Sequence, residues 1–466
     1  MKQRVLFLPA AIRSHIVPSL YLAKLISGNL DIYFNVTNDV LDEIVVRQGY
    51  KTFSSSPYRV LAGMEPQFVL DTTGKRGRWR ILRSIVRNDI FHHRQNELSM
   101  IVDKVEPTVI FLDIFNSSDL LLLYPKYSNI KYVFFNPMLS TYRVGGFPMV
   151  DQGYWPSPNR PETGNIPKRK LTKLAHRLGS LMISPVDILT EIARRRQFEE
   201  LTKQKDFASR YPLVSELTKS LLFDNVPEIV LAPLEFEVSP QVRRVNQHYL
   251  GLCVSEDRRD TELDPQFFHE FNRILDLKKS GMKLVYCTFG TFYQGPDRPL
   301  LDFLNKLLDA VDALEDIVVV LSVNQYVIQA LRDLRDASAR VFMFSRVPQL
   351  SVLQHADLFL THGGLGSIKE SIFYEVPMLV YPLDLRYDQN GNGFKVEYHG
   401  IGMRGSFFHE RVTEMEAKIR EVLIEPRYKS NIRQMRSSIQ NTDNQDSIMQ
   451  VLEKLLGTNE IESTRN

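Results

Sequence analysis

The stretch FLTHGGLGSIKES, residues 359–371, combines the end of a strand, a glycine-rich turn and the start of a helix. The apolar run 358–361 ends at His362, glycines follow, and a helical pattern begins near Ser367. In an open parallel sheet, ligands bind beyond the carboxyl ends of the strands, where loops lead into helices. Glycines let the backbone approach a bulky anion, and a helix N-terminus presents free N–H groups to it. The stretch therefore predicts a phosphate or diphosphate site.

A structural explanation of the same residues is open as well. Ser367 and Glu370 have the spacing of a capping box, in which both side chains satisfy backbone donors at a helix start. From these residues alone, an anion site and a structural turn are equally supported. The stretch lacks both the GxxxxGK[ST] pattern of a P-loop and the GxGxxG pattern of a dinucleotide-binding loop.

Length and composition limit the class of protein. A chain of 466 residues is too long for one ordinary core, so two domains of about 200 residues each are expected. The 43% hydrophobic and 24% charged fractions are typical of a soluble globular protein. A net charge of +3 gives no indication of a nucleic-acid partner. Cys253 and Cys287 stand in apolar stretches and predict buried thiols in a reducing compartment. Arg13 interrupts the first apolar run, which is too short for a signal or membrane span, so a cytoplasmic location is expected.

Short, β-rich apolar runs alternate with helical patterns in both halves of the chain. This rhythm is typical of a parallel sheet with helices on both faces, and so of the α/β class. The predicted strands are residues 5–10, 31–36, 108–114 and 131–136 in the first half, and 284–289, 317–322, 340–344, 358–361 and 378–381 in the second.

Polar residues 255–265 separate the two halves and predict a linker. The expected organisation is a first domain over 1–254, a second domain over 255–440, and a C-terminal segment, 441–466, whose amphipathic helix crosses back to the first domain.

The sequence from Arg346 onward resembles the donor-binding signature of the family-one UDP-glycosyltransferases. Their pattern reads approximately aromatic-x-P-Q, HxGxxSxxE, GVP and DQxxNA. The matching segments here are Arg346 to Gln349, His362 to Glu370, Val376-Pro377, and Asp388-Gln389 followed by Asn392-Gly393. Segments 285–291 and 246–252 resemble two further family segments. The resemblance implies the GT-B fold, in which two Rossmann-like parallel-sheet domains face each other across a cleft.

The resemblance also implies which residues of the second domain bind the donor. The donor would be a UDP-sugar or a dTDP-sugar, used as a co-substrate, with no separate cofactor and no metal. The implied contacts, in order along the donor, are Arg346, Val347 and Gln349 to the nucleobase, Glu370 to the ribose, Thr291, His362, Gly364, Gly366 and Ser367 to the diphosphate, and Asp388 and Gln389 to the sugar.

Three departures from the family pattern concern this same region. Glu375 stands where relatives usually have glycine, and Gly366 replaces a common asparagine. The segment from Pro382 to Asp388 is about two residues longer than in the family pattern. The longer segment leaves the sugar open, and it offers Asp384 as a second carboxylate.

His15 and Asp113 form the candidate catalytic pair of the first domain. His15 follows the first predicted strand and Asp113 lies at the end of the third, so both belong to the ligand-binding edge of one sheet. A histidine oriented by a carboxylate is a general base at neutral pH. Relatives carry their catalytic pair in GHxxP and DxF, and here Ser14 replaces that glycine. The resemblance therefore implies an inverting sugar transfer.

The acceptor is expected to be a small hydroxylated molecule of lipophilic or aromatic character. Its pocket would be built by loops such as 141–166, in which Tyr142 and Phe147 are candidate contacts. The basic segments 168–177 and 193–196 predict exposed helix faces, with a weak membrane-surface contact as the alternative. Two other functions stay open: a nucleotide-sugar epimerase or hydrolase on the same fold, and a non-catalytic nucleotide-sugar-binding protein.

Overall fold

The computed structural model describes residues 2–28, 30–156, 185–203, 206–215, 221–258, 260–289, 298–334, 338–442 and 445–457. Thr291, the basic segment 168–177 and the part of the predicted acceptor loop beyond Pro156 lie outside these residues.

A seven-stranded, entirely parallel sheet forms the centre of the first domain. Its strand order is β3-β2-β1-β4-β5-β8-β9. The strands are β1 Gln3–Leu8, β2 Leu30–Val36, β3 Lys51–Ser54, β4 Val109–Asp113, β5 Lys131–Asn136, β8 Glu228–Val230 and β9 Gln247–Tyr249, with β6 Leu213–Ser215 and β7 Leu222–Phe223 as a separate antiparallel pair. The helices are α1 Arg13–Leu25, α2 Asp39–Val46, α3 Glu65–Thr73, α4 Arg78–Val86, α5 Asp89–Val105, α6 Asp119–Leu123, α7 Pro185–Thr202 and α8 Phe207–Arg210.

A second parallel sheet, of six strands in the order β12-β11-β10-β13-β14-β15, forms the centre of the other domain. Its strands are β10 Lys283–Thr288, β11 Ile317–Ser322, β12 Val341–Phe344, β13 Leu358–Thr361, β14 Met378–Val380 and β15 Gly402–Arg404. Its helices are α9 Pro265–Lys279, α10 Arg298–Asp312, α11 Gln325–Leu334, α12 Gln349–Leu353, α13 Leu365–Phe373, α14 Asp388–Tyr398 and α15 Val412–Ile424, and two further helices follow, α16 Pro426–Thr442 and α17 Gln445–Leu456.

The predicted apolar runs are strands in the structure, and their side chains are buried because helices cover both faces of each sheet. Strand β4 is buried at all its residues, as is β11. Neighbouring strands of the first sheet also stack their aromatic rings, since Phe7 lies 4.8 Å from Phe34 and 4.7 Å from Phe111 between ring centroids. The prediction of two Rossmann-like parallel-sheet domains is confirmed.

Both sheets change their direction of strand addition at one place, between β1 and β4 in the first and between β10 and β13 in the second. A crevice opens at such a position because the two connecting segments leave on opposite faces of the sheet. The loops that carry His15, Asp113 and the glycine-rich stretch all lie at these positions. The fold therefore places both predicted halves of the site at a ligand-binding edge.

The last two helices pack in different places. Helix α16 buries Ile432 and Ile439 in a cluster that contains residues of both domains, whereas α17 buries Leu452 and Leu456 against the core of the first. Gln3 adds a hydrogen bond from Nε2 to the Leu456 carbonyl, at 2.7 Å. Among the described residues, no helix is both long enough and apolar enough to cross a lipid bilayer.

Glu375 departs from the family's glycine at a position where the backbone is left-handed, with φ of 56°. This conformation costs a residue with a Cβ roughly 1–2 kcal/mol and costs glycine little. The Glu375 carboxylate accepts from Arg433 at 3.2 Å and from Arg436 at 2.9 Å, both on α16. Burial alone would raise the pKa of Glu375, but the two arginines outweigh it and lower that pKa. The ion pairs offset the backbone strain and attach α16 to the end of α13.

We expect Glu375→Gly to be more stable than Glu375→Ala by about 1 kcal/mol, because both lose the ion pairs and only glycine relieves the left-handed backbone. Urea unfolding of the two variants measures this difference. Equal stability would show that the backbone at residue 375 is not strained.

Candidate active site

His15 and Asp113 are in direct contact. The Nδ1 atom of His15 lies 2.8 Å from Oδ2 of Asp113, and both residues are buried. Asp113 ends β4, and His15 lies in the first turn of α1, which follows β1. Asp113 also accepts the backbone N–H of Ala10 at 3.0 Å and that of Phe115 at 2.8 Å. Its carboxylate thus bonds both the loop after β1 and the loop after β4.

The surroundings of this pair fix the orientation of the imidazole ring. Phe115 packs on His15 with 4.6 Å between ring centroids. Asn116 donates from Nδ2 to the carbonyls of Leu8 and Pro9, which holds the two loops together. No described residue forms a hydrogen bond with Nε2 of His15.

Tyr142 and Phe147, the candidate acceptor contacts, lie in different environments. Tyr142 is buried in an apolar cluster with Ile114 and Phe115, the two residues that follow Asp113 in the chain. Desolvation raises the pKa of Tyr142, so its hydroxyl stays protonated at neutral pH. Phe147 packs instead near Trp155, 6.2 Å away between centroids.

The segment around Trp155 packs on α14 of the second domain. Trp155 contacts Phe394 and Tyr398 edge-on, and Asn390 donates to the Asp151 carbonyl at 3.0 Å. A Cβ on Gly391 would lie 2.0 Å from the Val150 carbonyl oxygen, so only glycine admits this contact. Part of the loop predicted to bind the acceptor therefore lies against the helix that carries Asp388 and Gln389.

The glycine-rich loop follows β13 and requires its glycines. Gly363 has φ of 88°, and a Cβ there would lie 2.8 Å from the Val380 side chain. A Cβ on Gly364 would lie 2.8 Å from Nε2 of His362, so the absence of a side chain makes room for the imidazole. Asn392 donates to the Gly363 carbonyl at 3.0 Å and thereby connects α14 to the loop. Gly366 is exposed at the start of α13.

His362 is neutral at physiological pH in the absence of a ligand. Desolvation lowers its pKa to about 4, against a smaller opposing effect of the Thr288 backbone. Its Nδ1 is enclosed by protein and has no hydrogen-bond partner among the described residues. The ring can therefore act toward a diphosphate as a neutral hydrogen-bond donor.

The capping-box explanation of Ser367 and Glu370 is wrong. Helix α13 begins at Leu365 with Gly364 as its N-cap, and no side chain caps it. Ser367 is thus the third helical residue rather than the cap, and Glu370 lies a further turn along the helix. The Glu370 carboxylate accepts instead from Nε2 of Gln349, at 2.5 Å, and from the guanidinium of Arg258.

Gln349 connects several of the predicted donor-binding residues. Its Nε2 also donates to Oγ of Ser367 at 3.2 Å, and its Oε1 accepts from the Tyr286 hydroxyl at 3.2 Å. Val347, two residues earlier, is buried at the start of this segment. Gln349, a predicted nucleobase contact, Ser367, a predicted diphosphate contact, and Glu370, the predicted ribose contact, therefore form one hydrogen-bonded group.

Residues of the linker enter the same group, which the sequence analysis missed. The Glu262 carboxylate accepts a hydrogen bond from Arg346 at 2.9 Å and one from Arg13 at 3.3 Å. Arg13 lies two residues before His15 in the chain. Arg258 bonds Asp260 at 2.9 Å in addition to Glu370. The linker thus joins α1, which carries His15, to the second domain. The only sequence signal was its dense mixture of charges, which is also typical of an exposed linker.

Asp388 and Gln389 begin α14 beside the longer loop. Gln389 accepts the backbone N–H of Leu383 at 3.0 Å, which holds the loop 382–388 against the helix. Asp388 accepts from Asn392 at 3.1 Å. Asp384 is paired with Arg386 at 2.7 Å. Within the described ranges, no group of three or more His, Cys, Asp or Glu side chains has the geometry to hold a metal ion.

Comparisons with known proteins agree with this architecture. The UDP-glucoronosyl and UDP-glucosyl transferase family model matches residues 325–447, which include the glycine-rich loop and α14. The uncharacterized UDP-glucosyltransferase YdhE of Bacillus subtilis (strain 168) is 25% identical over 174 residues, which are 37% of this chain and 42% of YdhE. The chain thus spans less than half the length of the first curated relatives that it matches.

Solved structures match over nearly the whole chain. The glycotransferase of kitacinnamycin superposes with a TM-score of 0.64 at 17% identity, covering 97% of this chain and 98% of the other. UDP-glucose: anthocyanidin 3-O-glucosyltransferase, solved in complex with UDP, superposes with a TM-score of 0.63 at 15% identity, covering 98% and 99%. These likenesses define the fold as that of the GT-B glycosyltransferases. The family-model match, residues 325–447, lies in the second of the two domains.

The depressed pKa of His362 gives a testable pH dependence. We expect the imidazole to titrate near pH 4 in the free protein and at higher pH with UDP bound, since a neighbouring diphosphate favours the protonated ring. Histidine NMR spectra of the wild type and of His362→Gln, recorded from pH 8 to pH 4 with and without UDP, identify the resonance and its midpoint. An unchanged midpoint with UDP would remove His362 from the diphosphate site.

Proposed function

We propose that the protein is an inverting glycosyltransferase that moves a sugar from a UDP-sugar to a hydroxyl of a small lipophilic or aromatic acceptor. The observation that carries this proposal is the contact between His15 and buried Asp113 at the edge of the first sheet. A non-catalytic binding protein would have no need of a base on the domain opposite the donor loop.

The hydrogen bond to Asp113 determines which nitrogen of His15 is basic. When Nδ1 donates to the carboxylate, the neutral ring carries its lone pair on Nε2. In the proposed step, the acceptor hydroxyl gives its proton to Nε2 while its oxygen forms a bond to C1 of the sugar. The bond between C1 and the diphosphate oxygen breaks, and UDP leaves with the electron pair. Asp113 stabilises the imidazolium that results.

The second domain supplies the groups for the donor. The N-terminus of α13 and the amides of the glycine-rich loop would stabilise negative charge. This charge increases on the diphosphate as it leaves. His362 would donate to the diphosphate, and Arg346 would stack on the nucleobase. Glu370 would bind the ribose hydroxyls, for which its present partners, Arg258 and Gln349, would have to make room.

The nature of the acceptor is inferred from the residues next to His15. Phe115 packs on the imidazole, and Tyr142 with Ile114 extends the apolar surface. An aromatic or lipophilic alcohol would fit such surroundings, and the structural neighbour named above acts on an anthocyanidin. The proposed location is the cytoplasm, as the sequence suggests by placing Cys253 and Cys287 in apolar stretches.

The proposed activity is tested by release of UDP from UDP-glucose, measured with and without a panel of phenolic and terpenoid alcohols. A parallel series with dTDP-glucose determines the nucleotide. Release that depends on an acceptor, with a glycoside detected by mass spectrometry, is expected. Release without an acceptor would identify a hydrolase, and binding without release would identify a non-catalytic protein.

We expect His15→Ala to lower turnover by about 100-fold or more, the usual effect of losing a general base. Donor affinity should stay nearly unchanged, because His15 belongs to the acceptor domain. Steady-state kinetics and calorimetric titration with UDP measure the two quantities. The control is His92→Ala, an exposed histidine of the same domain. Normal turnover of His15→Ala would disprove the assigned role.

We expect Glu370→Ala to raise the donor KM by tenfold or more, since the ribose would lose a carboxylate that accepts from its hydroxyls. Glu375→Ala is the matched control, because it removes another carboxylate bonded to arginines just beyond α13 and outside the site. The control should lose stability and keep its donor KM. A donor KM that is equal in the two variants would show that Glu370 is structural.

A further inference from the structure

The first domain carries an unusually basic segment that the reaction does not use. Residues 75–87, KRGRWRILRSIVR, contain six cationic side chains and no acidic one. They include helix α4, Arg78–Val86. All six cationic residues are exposed: Lys75, Arg76, Arg78, Arg80, Arg83 and Arg87. Such a density is unexpected in a chain with a net charge of only +3.

Large apolar side chains are exposed among these cations. Trp79 is 66% exposed and Val86 is 65% exposed. Trp79, Arg83 and Val86 are spaced at three and four residues, so they share one face of α4. Ser84 and Ile85, on the other side of the helix, are buried. The helix therefore presents an aromatic ring and an aliphatic side chain to solvent between arginines.

Helix α7 packs against α4 and continues this surface. Its exposed side carries Ile188, Leu189 and Ile192. Its arginines face neighbouring acids, as in the pairs Arg194 with Glu65 and Arg196 with Glu200. No described acidic residue pairs with Arg80, Arg83 or Arg87, so the uncompensated positive charge belongs to these three arginines, and α7 mainly adds apolar area.

We propose that this surface of α4 and α7 docks the protein on an anionic lipid bilayer. Cationic side chains are attracted to a negatively charged leaflet, and each adds more binding free energy the nearer it lies to the surface. Exposed Trp, Val and Ile side chains enter the headgroup region. A tryptophan between arginines suits this interface because its ring is apolar and its N–H can bond to headgroups. A nucleic acid would satisfy the arginines but would leave the aliphatic side chains of both helices exposed to water.

The surface is connected to the acceptor side of the candidate active site. Phe115, which packs on His15, accepts a hydrogen bond from Arg59 at 3.2 Å through its carbonyl. Six residues later, the Glu65 carboxylate bonds Arg194 of α7 at 3.3 Å. The segment 59–65 thus spans the distance between the catalytic pair and the docking helices. A docked protein would present its acceptor domain to molecules dissolved in the bilayer.

Vesicle binding by the full chain tests the proposal without reference to activity. Cosedimentation with vesicles of phosphatidylglycerol and phosphatidylcholine is compared with vesicles of phosphatidylcholine alone. We expect binding to the anionic vesicles only, and a decrease of more than tenfold in the partition coefficient for Arg80→Gln/Arg83→Gln/Arg87→Gln. The matched control is Lys279→Gln/Arg332→Gln/Arg420→Gln, which removes the same charge from exposed positions of the second domain. Equal losses in both triple variants, or binding that is indifferent to the lipid charge, would overturn the proposal.

Tryptophan fluorescence gives a second, local measurement. The chain has two tryptophans, Trp79 and Trp155, so Trp155→Phe leaves Trp79 as the sole reporter. We expect anionic vesicles to shift its emission to shorter wavelength and to protect it from aqueous quenchers. Trp79→Ala should weaken vesicle binding, whereas Tyr326→Ala, which removes an exposed aromatic residue of the second domain, should not. An unshifted Trp79 emission, or a shift produced equally by a short double-stranded DNA, would contradict a lipid-binding surface.

Discussion

Asp113 is a charged group in the interior of the first domain, and the arrangement around it follows from that fact. An unpaired buried carboxylate costs several kcal/mol, so its position requires donors. Two backbone N–H groups and the His15 ring supply them, from the loop after β1, the loop after β4 and the first turn of α1. Satisfying one buried charge thus fixes the strand ends, the start of α1 and the tautomer of the imidazole that the proposed chemistry uses.

In the proposed function, the second domain meets an equivalent requirement for the incoming diphosphate. A glycine-rich loop brings backbone close to His362 and Gln389, and Asn392 connects that loop to α14. The two domains are joined at the same edge by the linker, where Glu262 accepts from both Arg13 and Arg346. A donor that displaces these contacts would replace the ion pairs within the protein by contacts between the protein and the donor. The linker is therefore part of the site as well as a connection.

The sequence predicts those features that depend on local pattern. Parallel strands with apolar residues on both faces were recognisable, and 131–136, 317–322 and 358–361 agree with the structure residue for residue. The positions of His15 and Asp113 at one sheet edge followed from their places at the ends of two predicted strands of one parallel sheet. The short strands β8, β9 and β15 were missed because three residues each carry too little periodicity.

Features set by distant contacts could not be predicted. The true start of α13 at Leu365 depends on the loop geometry at Gly364, and the spacing of Ser367 and Glu370 imitates a capping box. The role of the linker depends on Arg258 meeting Glu370, 112 residues away. A glutamate in a left-handed conformation, Glu375, is intelligible only with the arginines of α16 in view. In the last two cases the determining partner lies in another element, and in the first it is the geometry of the loop that precedes the helix.

The central claim is a single displacement at the sugar carbon, with His15 as base on one side and the diphosphate leaving on the other. The anomeric configuration of the first-formed product tests it most directly. Proton NMR of a reaction that starts from the α-linked donor UDP-glucose reports this configuration through the coupling of the anomeric proton. The account predicts a β-glucoside. A product with the α configuration would require a second displacement or an internal return, and it would contradict the assigned mechanism.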